Sequence, residues 1–301
     1  MRDLFGVVIL FGVYSLLTAV IFMNLDAVDV AFTEAAVGAG ITTVLMLSSL
    51  RLTKRWEHPP RHNPLLSLLV VGVTGAVLIY ATLDAPLLGD PSAPVHQHVT
   101  PRYVEQASAE VGMPNMVTAV LASYRGYDTF GETVVVFTAG LAVLLLLGMK
   151  DVRKSRVDDS AIHDTLVLKT VVKLLIPLIL LFGLYVQFHG DFGAGGGFQA
   201  GVIFATGFIL YEMVFGAAHA RTVVPPGWLP RLGALGVLIY GGVGVISMLG
   251  GKAFLDYSVL SSDPVHGQHY GVLLVELGVG ITVFSIVLSI FYALSGRKRQ
   301  S

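Results

Sequence analysis

Residues 166–188 read LVLKTVVKLLIPLILLFGLYVQF, and they are followed at once by the glycine-rich run HGDFGAGGGFQAG at 189–201. As a helix the first stretch would be ~35 Å long at 1.5 Å per residue, enough to cross ~30 Å of hydrocarbon. Its apolar character is continuous and does not alternate with polar residues. A spanning helix closes its backbone hydrogen bonds within itself, so continuity argues for a helix and against a barrel strand.

Working outward, the same pattern recurs at Leu4–Met23, Val30–Leu50, Leu65–Leu83, Thr129–Met149, Phe198–Ala218, Leu232–Leu249 and Tyr270–Leu294. The expectation is an all-α integral membrane protein with about eight transmembrane helices. Composition agrees: 54% of the 301 residues are hydrophobic and 13% charged, and mean hydropathy is +0.75, above what a water-facing surface carries. The first run is longer than a signal-peptide core, so it reads as a retained helix. With no cysteine in the chain, neither disulfides nor cysteine-ligated iron–sulfur clusters can form from it.

Net charge is −1, which gives no reason to expect nucleic acid as a partner, but the positive charges are unevenly placed. Arg51, Lys54, Arg55 and Arg61, then Lys150, Arg153, Lys154 and Arg156, then Arg221 and Arg231 follow even-numbered helices, and Arg297, Lys298 and Arg299 end the chain. The opposite loops hold Arg102, Arg125 and Lys252. The positive-inside rule puts both termini in the cytoplasm, as an even number of spans requires. Two basic connectors, Arg51–Pro64 and Lys150–Asp164, divide the helices into groups of two, two and four. The long outer loop, Asp84–Asp128, is proline-rich, with helical spacing at Asn115–Ser123.

The glycine run formally contains a G-x-G-x-x-A fingerprint, but a long apolar helix precedes it where a dinucleotide site needs a strand. Nucleotide binding is rejected. Gly190, Gly193 and Gly195–Gly197 read instead as a tight outer turn in which they supply positive φ, with Gly197, Gly201 and Ala205 forming a stripe of small residues for close helix packing.

The pattern H-G-x-x-x-x-G-G-G-F-x-x-G at 189–201 resembles the B subunit of the Mrp-type multi-subunit sodium/proton antiporters, and the similarity runs over the last four helices. Family members commonly have a second histidine and a proline where this chain has Asp191 and Ala194. Asp29-Val-Ala-Phe-Thr-Glu34-Ala-Ala-Val-Gly38 is similar to the penultimate domain of the large A subunit of those antiporters, a domain also found as a small subunit of membrane-bound hydrogenases. Asn115-Met-Val-Thr with Tyr124-Arg-Gly-Tyr-Asp128-Thr-Phe-Gly-Glu132 resembles the last domain of the same large subunit.

The resemblance implies three domains: 1–52 with two helices where the family usually has three, 63–150 with two helices and the outer loop, and 160–296 with four. It implies a fused membrane subunit, not a stand-alone enzyme, in the cell inner (cytoplasmic) membrane. Its partners would be large complex I-like subunits and small membrane subunits, and it would need no cofactor. A membrane-arm role in a hydrogenase-like oxidoreductase, and a non-conducting scaffold, stand as alternatives.

Ionisable groups in spanning segments cost about 2.5–3.5 kcal/mol each near a helix centre. The candidates for an ion pathway are Glu34, Asp128, Glu132, His189, Asp191 and Glu276 toward the outer side, and Lys173 with Glu212 as a pair toward the cytoplasm. Carboxylates suit both a transient sodium ion and a proton relay; no permanent metal site is expected. Pro177 cannot donate to the carbonyl of Lys173, so a kink is expected beside that lysine. Against these stands the plainer reading, in which the acids are interfacial caps and Lys173 snorkels to the surface. His266 and His269 read as ordinary loop residues.

Overall fold

The computed structural model describes residues 2–57, 64–87, 89–147 and 166–297. The basic connector Lys150–Asp164, together with Arg61, Lys298 and Arg299, lies outside the described residues. Among the described residues, eight helices have the length and apolarity to cross a membrane: α1 (Leu4–Asn24), α2 (Val28–Leu50), α3 (Pro64–Leu83), α5 (Gly126–Leu147), α6 (Leu166–His189), α7 (Gly197–Phe215), α9 (Leu229–Leu249) and α10 (Pro264–Ser295). The shorter α4 (Thr100–Glu110) lies in the long loop, and α8 (Ala217–Val223) follows α7.

α10 is the core of the molecule, packed against α5, α7 and α9, while α6 packs on α7 and α1 on α2. Glycines make these approaches possible. A Cβ on Gly201 of α7 would stand 2.7 Å from the carbonyl oxygen of Gly280 in α10, and one on Gly278 would stand 2.7 Å from that of Gly236 in α9. Backbone therefore meets backbone on two sides of α10, the packing that small residues permit between membrane helices. α2 reaches this core through α7 and α10. No residue of α3 is buried.

The α1–α2 hairpin is closed at its base. Leu4 N–H donates to the carbonyl of Arg55 at 2.9 Å and Glu57 N–H to that of Arg2 at 2.9 Å, and Asp3 meets the Arg55 guanidinium at 2.7 Å. That ion pair holds the Asp3 carboxyl below its ordinary value. The N-terminus and the first basic connector thus share one side of the protein.

Several boundaries differ from the sequence expectation. α10 begins at Pro264 instead of Tyr270, because Asp263 accepts from the N–H of Val265 as an N-cap and Pro264 sits in the first turn. α5 starts at Gly126 and α9 at Leu229, each three residues early. The run Phe198–Ala218 is not one helix: α7 stops at Phe215, and Gly216, with φ of 88°, turns the chain into α8. α6 remains a continuous helix through Pro177. α2 is α-helical to Glu34, π-helical over Ala35–Thr42, and α-helical again from Thr43. In the proline-rich part of the outer loop lies α4, with Pro101 in its first turn. It is held to the helical segment Met116–Tyr124 by the Tyr124 hydroxyl, which donates to Glu110 at 2.5 Å. Burial and the neighbouring Glu110 push that phenol up to about 12.

Candidate functional site

The glycine run forms a compact loop between α6 and α7. Gly196 N–H donates back to the carbonyl of Val186 at 3.0 Å, and the N–H groups of Phe192 and Gly193 donate to that of His189. Of the glycines expected to supply positive φ only Gly196 does, at 116°; the others serve close approach, and a Cβ on Gly190 would stand 2.9 Å from the Gly196 Cα. A side chain fits at neither place.

Asn115 ties this loop to the rest of the outer face. Its amide nitrogen lies 2.9 Å from the carbonyl oxygens of both Gly190 and Gly193 and 3.5 Å from the Asp29 carboxylate. Its backbone N–H donates to the Asp191 carbonyl at 3.0 Å. The Thr118 hydroxyl donates to the Gly190 carbonyl at 2.6 Å, and Gly195 N–H reaches Asp29 at 3.2 Å. A buried polar knot of this kind is stable only when its members are satisfied, and here the loop's carbonyls supply the acceptors.

Behind the loop is a cavity of about 320 Å³, lined by α2, the Val117–Ala122 segment, α5, α7, Tyr240 of α9, and α10. Three carboxylates line it, Asp29, Glu132 and Glu276, with the hydroxyls of Thr33, Thr118, Thr129 and Thr133 and the amide of Gln199 among valines, leucine and phenylalanine. No lysine or arginine among the described residues lines it. Glu276 rests against the glycine loop: Cβ atoms on Gly190 and Gly196 would stand 3.2 and 3.0 Å from its two carboxylate oxygens. Gln199 donates to the Thr33 hydroxyl at 2.8 Å and so braces α7 on α2. Among the described residues, no group of three His, Asp or Glu side chains is placed to hold a metal ion.

The other candidates are dispersed. Asp191, 7% exposed, lies beside the cavity with its carboxylate 3.3 Å from His269 Nδ1. Burial raises its carboxyl above the ordinary value, partly offset by the charge of His269. His189 stacks on Tyr185 at 4.8 Å between ring centres and does not line the cavity. Asp128 is exposed and paired with Arg125 at 2.5 Å. Glu34 sits between α1 and α2, its carboxylate and the Ser15 hydroxyl crowding the space over Gly38.

The expected Lys173–Glu212 pair does not form. Lys173 lies over the ring of Phe215 at 6.0 Å, whereas Glu212 is buried, accepts from the Ser295 hydroxyl and lies 4.0 Å from Arg221. The turn at Gly216 is the reason, since it brings α8 and its arginine back to the end of α7. Asp29, Asn115, His269 and Arg221 carry more of this geometry than the sequence suggested. Asp29 and Asn115 each stand in a resemblance motif, which was the one signal for them.

A family model described as a domain related to the MnhB subunit of Na+/H+ antiporters matches residues 167–289. Models for the D and E subunits of MBH match residues 1–55 and 60–162. A probable K(+)/H(+) antiporter A/B subunit of Rhizobium meliloti (strain 1021) is 27% identical over 95% of this chain and 31% of its own length. The putative antiporter subunit mnhB2 of Staphylococcus haemolyticus (strain JCSC1435) is 34% identical over 45% of this chain and 98% of its own. Among solved structures, a chain of the Mrp complex from Dietzia sp. DQ12-45-1b superposes with a TM-score of 0.74 at 27% identity, covering 100% of this chain and 33% of that one. A chain of the membrane-bound sulfane sulfur reductase, an archaeal respiratory membrane complex, gives 0.53 at 28% identity over 75% of this chain and 97% of that one. This chain therefore spans about a third of the length of the Rhizobium relative and of the Mrp chain.

Proposed function

The chain belongs to the family related to the MnhB subunit of Na+/H+ antiporters, and from that premise we propose that it is a membrane subunit of a multi-subunit monovalent cation/proton antiporter complex, whose ion pathway includes the cavity behind the glycine loop. The observation that carries this reading is the convergence of Asp29, Glu132 and Glu276 on one cavity with no described cation lining it. Carboxylates among apolar walls are costly unless they hold something positive. Sodium and potassium ions favour oxygen ligands, and a carboxylate can take a proton in their place. Among the described residues no three acids are grouped to hold one metal together, and the carboxylates act as successive stops for a transient ion or proton. The threonine hydroxyls supply further oxygens along the way.

The role is transport, not enzyme chemistry. The complex sits in the inner (cytoplasmic) membrane with both termini in the cytoplasm, a reading supported by the arginine and lysine asymmetry. Partner subunits, large and complex I-like or small, would cover the apolar faces left open here, α3 first among them. The three matched regions correspond to three modules, two like the end of a large antiporter A subunit and one like its B subunit. A redox-coupled membrane arm is the second reading, favoured by the likeness to the sulfane sulfur reductase chain and to the D and E subunits of MBH. The antiporter reading is preferred because the likeness to a K(+)/H(+) antiporter A/B subunit runs through all three modules on one chain.

The test is Glu276→Gln in the complex purified through a tag on this chain and reconstituted in proteoliposomes. The amide keeps shape and hydrogen-bonding capacity but cannot titrate. Exchange per assembled complex is expected to fall by about tenfold or more for sodium or potassium. Unchanged exchange per complex would leave the scaffold role in its place.

A further inference from the structure

We infer that His269 and Asp191 form the proton entry from the outer aqueous face to Glu276, a path that deepens the cavity reading and rests on it. α10 has 32 residues, or ~48 Å of helix against ~30 Å of hydrocarbon. Its first turns carry the polar His266, Gln268 and His269, and His269 has its side chain 46% exposed. Its Nδ1 meets the Asp191 carboxylate at 3.3 Å, and that carboxylate is almost fully enclosed. Asp191 adjoins Gly190, over which the Glu276 carboxylate rests, and Glu276 is two turns below His269 on the same helix. One water-exposed imidazole, one enclosed carboxylate and one cavity carboxylate thus stand in sequence from surface to interior.

The surroundings favour this order. From α2, Asp29 faces the same loop through Asn115 and Gly195, and it lines the same cavity as Glu276. His189, within the loop's own approach, is turned toward Gly193 and stacked on Tyr185. At the surface, His266 pairs with Asp263 at 2.9 Å and remains exposed, while Gln268 is engaged by the Ser123 hydroxyl at 2.8 Å. Among the described residues, His269 is accordingly the imidazole that meets a buried acid. Burial also raises the Asp191 carboxyl above its ordinary value.

The transfer balances simply. His269 takes a proton from water at Nε2 and releases its Nδ1 proton to Asp191. Asp191 passes one proton, through water in the cavity, to Glu276, and the exposed ring re-equilibrates with solvent before the next cycle. No oxidant or other co-reactant is required.

The experiment uses the assembled complex in proteoliposomes, with exchange per complex read by an internal pH dye from about pH 6 to pH 9. His269→Ala, His269→Gln and Glu276→Gln are compared with and without millimolar imidazole. His269→Ala is expected to slow exchange about tenfold or more toward the alkaline end, where protons are scarce, and imidazole is expected to restore it. His269→Gln keeps a donor for Asp191 but cannot titrate, so it should be as slow as the alanine variant. It also serves as the second variant if His269→Ala fails to assemble. Glu276→Gln should stay slow by about tenfold or more with or without imidazole. Wild-type rates for His269→Gln, or a slow His269→Ala that imidazole does not restore, would overturn the relay while leaving the cavity reading intact. Wild-type rates for Glu276→Gln would overturn both.

Discussion

Gly197→Ala adds one methyl group to the contact on which the cavity depends, and the structure fixes what it meets. The new carbon would overlap the carbonyl oxygen of Glu276, and would stand 2.8 Å from its carbonyl carbon and 3.0 Å from the nitrogen of Gly280. All three are backbone atoms of α10, so no rotamer change can relieve the clash. Ordinary separations between carbon atoms are about 3.5–4.0 Å, so α7 and α10 must part by roughly 1 Å, and such a gap forfeits about a quarter to a half of each contact's attraction. Overpacking of this kind costs about 1–3 kcal/mol, or roughly 5- to 150-fold in the equilibrium between packed and separated helices. Gly242→Ala in α9 is the control, because a Cβ there meets nothing within 4 Å. It should be neutral or gain about 0.5–1 kcal/mol from helix propensity. The assay is the thermal midpoint of the detergent-solubilised complex, with assembly read on blue-native gels. Gly197→Ala should melt several degrees below both wild type and the control. Equal midpoints for the two alanine variants would refute the claim that backbone contact between α7 and α10 holds the cavity together.

Asn115→Ala removes an amide shared by the carbonyls of Gly190 and Gly193 and should destabilise the complex by about 1–3 kcal/mol. Asn115→Asp, which turns a carboxylate toward those carbonyls and Asp29, should be worse in the same melting assay, and wild-type stability of Asn115→Ala would show that the amide contributes nothing there. For topology, a cysteine replacing exposed Ser92 in the outer loop should react in intact cells with a membrane-impermeant maleimide, while one replacing Thr53 beside the first basic connector should not. The chain has no native cysteine, so labelling at Thr53 from outside would reverse the assigned orientation.

The spans were legible because an uninterrupted apolar run of about 20 residues has little use in a water-soluble fold and matches the thickness of a bilayer. Their ends were less so, for reasons that differ from place to place. At α10 the signal was present, an Asp-Pro pair in the positions of N-cap and first turn, but the polar residues up to His269 suggested loop. At Gly216 no signal existed: the glycine sits in apolar sequence that reads as helix, and only its positive φ reveals the break. That single torsion also decides which cation meets Glu212, and it explains why Lys173, nearer in the expected topology, is not the partner. The π-helical stretch over Ala35–Thr42 has no composition of its own. It appears only when the hydrogen-bond register is seen.

The candidate site divides along the same line. Glu132 and Glu276 could be singled out because an acid in apolar sequence is conspicuous, whereas Asp29, Asn115 and His269 lie in polar surroundings where such residues are ordinary. What makes them unusual is tertiary. Asp29 belongs to the first matched region, Asn115 and Glu132 to the second, and Gly190, Gly196 and Glu276 to the third, yet Asn115 touches all three in one cluster of hydrogen bonds. The glycine run at 189–201 is the floor on which that cluster rests. Its lack of side chains lets the Glu276 carboxylate lie directly over backbone, and its exposed carbonyls give Asn115 and Thr118 their acceptors. A cavity assembled in this way cannot be formed by the MnhB-like region alone, because two of its three carboxylates come from the segments before it. The geometry thus gives a physical reason for the three regions to work as one unit: the acids that would handle the ion are neighbours only when all three are packed together.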